Sequence, residues 1–159
     1  MAGPITPASE RLWVRVEKTE TCWNWTGCLD RKGYGIIGDK VGAQKVNVRV
    51  HRLAYSTLVG PLADEAQVDH RCHNRRCVNP AHLRTTTHKQ NQENRVGARG
   101  DSATGVRGVY ANRGRWVAEV RHHGHKVYLG RFSTIAEAEA AATAKRNELF
   151  THNDIDRMA

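Results

Sequence analysis

Cys72, Cys77 and His82 recur at five-residue steps in Cys72-His73-Asn74-Arg75-Arg76-Cys77-Val78-Asn79-Pro80-Ala81-His82. Thiolate and imidazole are the donors that tetrahedral Zn²⁺ takes, and a structural site wants four. The loop is polar and broken by Asn74, Asn79 and Pro80, too poor in apolar side chains to fold around a core of its own, so a metal fastener is expected. A fourth ligand has to come from elsewhere: Cys22 and Cys28 are the candidates, and His73 is a weaker one. The competing use of four cysteines is a disulfide framework. The start of the chain lacks the basic-then-apolar form of a secretory leader, which points to a reducing compartment and therefore to metal. The spacing is not that of a two-Cys two-His finger, so a finger helix reading DNA is not expected.

Charge narrows the partner. The 159 residues carry 25 Lys and Arg against 16 Asp and Glu, a net charge of +9. Such a balance favours a polyanion, either nucleic acid or an anionic membrane surface. No run of about 18 apolar residues is there to span a bilayer. Nucleic acid is the expected partner. Between Val106 and Phe132 six basic side chains face a single acid, Glu119, so that stretch forms a second basic region.

The first ten residues read as a loose end, and Arg11 to Val16 as a helical turn. Gly33 to Ile37 and Gln44 to Val50 read as a hairpin. His51 to Val59 reads as a short helix with Leu53, Ala54 and Leu58 inward, stopped by Gly60-Pro61. Gln67 to His70 is a short strand, and Thr87-x-x-Gln90 has the form of a capping box opening a polar helix. Residues 95–104 read as a linker. After it come three strand-like runs, Val106 to Tyr110, Arg115 to Arg121 and Lys126 to Phe132, and then an Ala- and Glu-rich helix from Ile135 to Phe150 capped by Ser133-Thr134. The helix is explained by packing behind the sheet.

The block from Val68 to Leu83, with the upstream Cys22-Trp23-Asn24-Trp25-Thr26-Gly27, resembles the HNH endonucleases, and especially the zinc-containing branch that includes the His-Cys box homing enzymes. The resemblance runs from about Cys22 to Asn94. It implies an α+β chain with a zinc-stabilised ββα-metal core. It implies His70 as catalytic base, Asn79 as the central Asn, and Asn91 as the helix Asn that binds a catalytic Mg²⁺ or Mn²⁺. Asn94, one turn later, is the alternative to Asn91. The zinc ligands it implies are Cys72, Cys77, His82 and, because a Trp-x-Trp-x-Gly motif follows it, Cys22, which leaves Cys28 an extra thiol. Asp69 matches an acidic magnesium ligand in some relatives. Arg49, Arg52, Arg71, Arg75 and Arg76 are candidates to clamp phosphates.

The stretches Gly105 to Tyr110, Gly114 to Arg121 and Leu129 to Thr134 are similar to the APETALA2-type DNA-binding domain, a three-stranded antiparallel sheet backed by one helix. That likeness implies DNA contacts by Arg107, Arg113, Arg115, Trp116, Arg121 and Tyr128, with Trp116 as a possible core residue instead. The expected organisation is a nuclease domain over 1–94, a linker over 95–104, the sheet module over 105–150 and a tail over 151–159. The expected partner is double-stranded DNA, not a membrane, for a monomer or homodimer in the cytoplasm of a bacterial or phage-infected cell. The reading weighed against it is a non-catalytic zinc-stabilised DNA-binding regulator; RNA as substrate is the remoter option.

Overall fold

The computed structural model describes residues 6–158, which divide into two compact units meeting at Thr87 and His88. In the first unit α1 (Ala8–Arg11) and a 3₁₀ turn (Trp13–Arg15) lead into β1 (Val16–Lys18) and β2 (Trp23–Trp25), which pair antiparallel. The hairpin of β3 (Ile36–Val41) and β4 (Gln44–Arg49) runs directly into α2 (Val50–Leu58). β5 (Gln67–His70) pairs with β6 (Leu83–Thr86), and a 3₁₀ turn (Pro80–His82) precedes β6.

The core of this unit gathers Leu12, Trp25, Val50, Ala54, Val68, Val78 and Leu83 around the indole of Trp25, which is fully buried. Glycine is obligatory beside that ring. A Cβ on Gly35 would collide with Val50 Cγ2 and stand 2.7 Å from Trp25 Cδ1. Three expectations change here. Residues 6–10 are not loose, because Ala8 is 1% exposed within the core and Arg11 donates to Gly38 O at 2.6 Å. Leu58 is not inward: it is 49% exposed, and α2 instead buries Val50, His51 and Ala54. β6 is a strand that the polar Leu83-Arg84-Thr85-Thr86 does not advertise; its pairing with β5 supplies the pattern that its own side chains lack.

The second unit opens with α3 (His88–Glu93), followed by β7 (Val109–Asn112), β8 (Arg115–His122) and β9 (His125–Phe132) in a sheet of that order. α4 (Ile135–Leu149) packs on it, and α5 (Asp154–Met158) follows. Thr134 and Glu137 form a reciprocal capping box that fixes the start of α4. Val109, Ala118, Ala138 and Ala142 make the helix–sheet contact, all small enough to bring helix and sheet close. Residues 151–158 are held in place. Glu93 accepts the amide N–H groups of Thr151 and His152, Asn94 Oδ1 accepts from Asp154 N, and Asn153 is fully buried.

No helix among the described residues is long and apolar enough to cross a membrane. Replacing Gly35 by Ala should lower the thermal midpoint of the first unit, at a cost of about 1–3 kcal/mol from overpacking. Gly38→Ala, which meets nothing within 4 Å, should leave it unchanged. Thermal denaturation of the two variants side by side checks this.

Candidate metal centre and active site

β2 does two jobs at its two edges. One edge pairs with β1; on the other, Trp25 N donates to Arg76 O at 2.8 Å and Val78 N donates to Trp23 O at 2.8 Å. This brings Cys22, immediately before β2, to the loop that bears Cys77. The far end of the loop is closed by the β5–β6 pair, with Arg71 N donating to His82 O at 2.9 Å. Asn79 pins the assembly: its Oδ1 accepts from Ala81 N and its Nδ2 donates to Thr21 O, both at 3.0 Å. Its side chain is therefore engaged at both ends in holding the loop.

The result is a cluster of Cys22, Cys72, Cys77 and His82 whose ligand atoms all lie within 4.8 Å of one another. His82 Nδ1 is 3.7 Å from Cys22 Sγ and 3.6 Å from Cys77 Sγ. A tetrahedral zinc with Zn–S of about 2.3 Å and Zn–N of about 2.0–2.1 Å has an S–N edge of about 3.6 Å. The donor set and its spacing are compatible with zinc. Cys28 is exposed and outside the cluster. His73 is also outside it, on a left-handed backbone (φ 56°). A hydrogen bond from the Cys72 S–H, assisted by Asn79 N–H and His82, holds the Cys77 thiol below its ordinary value, while the same bond pushes Cys72 up.

His70 ends β5 beside this cluster, 5% exposed. Its Nε2 lies 3.0 Å from the carbonyl oxygen of Cys77. A carbonyl only accepts, so Nε2 carries the proton and Nδ1 carries the lone pair. Burial pushes the His70 imidazole below its ordinary value, against the pull of the Cys77 carbonyl. Burial and this contact together favour an uncharged ring with its proton on Nε2.

Around it stand residues that the sequence does not single out. Tyr34 lies 6.2 Å from His70 ring to ring, with the guanidinium groups of Arg49 and Arg75 over its face at 4.8 and 5.3 Å. His51, 2% exposed, lies 4.8 Å from His70. One signal could have found it: His51 stands three residues before Ala54, on the inward stripe of α2, where a titratable side chain is out of place.

The arginines divide. Arg52 is tied to Ala66 O and Arg76 to Trp25 O, so both serve the fold. Arg49 and Arg75 are exposed beside Tyr34, with Arg49 NH2 3.6 Å from Asp30 Oδ2 and Arg75 donating to Lys32 O at 2.7 Å. Asp69 is not a solvated carboxylate: it is 9% exposed, and its Oδ2 accepts from Arg84 Nε at 3.2 Å and NH2 at 3.0 Å across the β5–β6 pair. Asn91 is half-buried on α3, whereas the Asn94 side chain is engaged with α5.

In the second unit Arg107 is drawn inward. Its guanidinium donates to the carbonyls of Gln92, Glu93 and Arg95, closing the C-terminal end of α3, and burial lowers its pKa. It is a helix clamp, not the exposed DNA contact expected. Trp116 pairs with Ala111 and Phe132 on the side of the sheet that α4 covers, and packs against the core there. It too is corrected, from contact residue to core residue. Side chains alternate along a strand, so the opposite face carries Tyr110, Arg115, Arg121, Tyr128 and Arg131, with Arg121 opposite Lys126. Arg113 is exposed in the β7–β8 turn on a left-handed backbone (φ 49°).

If the four ligands hold one ion, Cys22→Ala should lower zinc per chain to well below one and reduce the thermal midpoint, and Cys28→Ala should change neither. Metal content by atomic emission on the purified variants decides it.

With this geometry in hand, known proteins can be set beside the chain. Residues 48–93 match the family model described as HNH endonuclease. Protein 7.7 of Escherichia phage T7 is 38% identical over 79 residues, covering 48% of this chain and 56% of that protein. Protein 2.8 of the same phage is 34% identical over 88 residues, covering 55% of this chain and 58% of that protein. The chain thus spans little more than half the length of these curated relatives. No solved structure matches. The matched segment runs from β4 to the end of α3 and includes His51, His70, Cys72, Cys77, His82 and Asn91. It is the part of this chain that is similar to the HNH endonuclease family.

Proposed function

We propose that this protein is a metal-dependent endonuclease that hydrolyses phosphodiester bonds in double-stranded DNA, with His70 as the general base. The observation that carries this is the 3.0 Å contact of His70 Nε2 with the carbonyl oxygen of Cys77. That contact lies inside the HNH segment and beside a zinc-compatible cluster. A neutral imidazole with its lone pair on Nδ1 can take the proton of a water as that water attacks phosphorus, and one P–O ester bond then breaks. Arg49 and Arg75 are proposed to hold the phosphate, their positive charge offsetting the negative charge that grows on it. A hard divalent cation, Mg²⁺ or Mn²⁺, is proposed to bind the amide oxygen of Asn91 and DNA phosphate oxygens, and when bound it supplies Lewis-acid charge neutralisation. Asp69, held by Arg84, is the less suited of the two expected ligands.

The second unit is proposed as the duplex-binding module, in the manner of the APETALA2-type sheet. Support comes from its exposed face, where Arg115, Arg121, Lys126 and Arg131 outnumber Glu119 and Tyr128 is 61% exposed. A two-stranded or three-stranded β surface fits the major groove. A monomer with one active site would nick, and a homodimer would cut both strands. A phage-infected cell is proposed as the setting, from the likeness to the T7 proteins.

His70→Ala should reduce Mg²⁺-dependent cleavage of supercoiled plasmid by about 10²–10⁴-fold while zinc content and the thermal midpoint are retained. Cleavage at the wild-type rate would remove His70 from the chemistry. A wild type that shifts duplex DNA but cuts nothing with Mg²⁺ or Mn²⁺ would favour a DNA-binding regulator. Separately, changing both Arg115 and Arg121 to Gln should weaken duplex binding and flatten the slope of log K against log salt by up to about 0.9 per arginine, measured by fluorescence anisotropy.

A further inference from the structure

His51 opens the inward stripe of α2 and has no part in the reaction as set out above. Its Nδ1 is buried and has no hydrogen-bond partner, although the residue is only 2% exposed. The ring packs between Tyr34 and His70, at 5.4 and 4.8 Å between centroids. The charged groups that act on it are Arg49, Arg52 and Asp30, together with His70. Burial is the largest influence, and it pushes the imidazole down to about 3. His51 is therefore neutral at any pH where the protein works.

An unmade hydrogen bond at a buried nitrogen costs about 1–3 kcal/mol. An aliphatic side chain would fill the same space between Val50 and Ala54 without that cost. The orphaned nitrogen belongs to a ring packed directly against that of His70, the proposed base. A polar group that enters beside His70 during the reaction would satisfy it, and the group the reaction requires there is water.

We propose that His51 is a positioning residue for DNA cleavage, its Nδ1 hydrogen-bonding the water from which His70 takes a proton. This rests on the reading of His70 as the general base. The proton balance is simple. The water gives one proton to His70 Nδ1, its oxygen forms the new bond to phosphorus, and one ester oxygen leaves. His51 gains and loses nothing; it fixes the remaining direction of the water, so that the attacking lone pair keeps its aim.

Asparagine and glutamine separate this role from space filling, because Asn puts its amide near the place of Nδ1 and Gln near that of Nε2. The experiment is steady-state cleavage of supercoiled plasmid with Mg²⁺ by wild type, His70→Ala, His51→Leu, His51→Asn and His51→Gln, with zinc content and circular dichroism on each. His51→Leu should lower kcat by about 100-fold with KM and zinc unchanged, His51→Asn should recover about tenfold of that, and His51→Gln should not. Wild-type kcat in His51→Leu overturns the proposal. If the Leu variant fails to fold, equal kcat in zinc-loaded His51→Asn and His51→Gln overturns it just as well. An active wild type, an inactive His70→Ala and unimpaired His51 variants sink this inference alone. Equal activity of wild type and His70→Ala sinks the general-base reading, and this inference with it.

Discussion

The backbone pairing of Trp23 and Trp25 with residues 76 and 78 is what the first unit depends on. Those two hydrogen bonds join segments some fifty residues apart before any metal is considered. Once they form, Cys22 has little choice but to face Cys77, and the Trp25 indole has little choice but to fill the space under Gly35 and Val50. A zinc ion held by these four side chains would close a geometry already drawn by the strand. A small unit with a thin apolar core gains more from such a tie than from a few more buried methylenes.

Much of this was legible in the chain itself. The five-residue steps of Cys72, Cys77 and His82 announce a metal loop because a loop of that composition has no other means of support. The Trp-x-Trp-x-Gly context separates Cys22 from Cys28, and the structure leaves Cys28 outside, exposed. The three strands and the capped helix of the second unit follow from local turn chemistry and β-branched runs, which need no knowledge of the rest of the molecule. What was not legible is long-range. Nothing in Leu83-Arg84-Thr85-Thr86 says strand until β5 lies alongside it, and nothing in Arg107 says that three carbonyls at the end of α3 await it. Basic side chains are the hardest to assign from sequence, because phosphate clamps and helix clamps use the same group. Here Arg52, Arg76 and Arg107 serve the fold, and Arg49, Arg75 and Arg121 remain at the surface.

His51 shows the same limit from the opposite side. At the sequence level His51 is only a titratable side chain on the inward stripe of a short helix. Its meaning comes only from burial beside His70, and burial is a property of the assembled unit.

Cys77 has two ends with two addressees. Its sulfur belongs to the four-ligand cluster, and its carbonyl oxygen receives the His70 N–H. One residue therefore ties the candidate metal cluster to the proposed base. A rotation that moved the carbonyl away would release the proton on Nε2 to choose either ring nitrogen, and the lone pair would lose its fixed direction. The integrity of the fastener and the readiness of the base are in this way reported through a single amino acid, with no moving part between them.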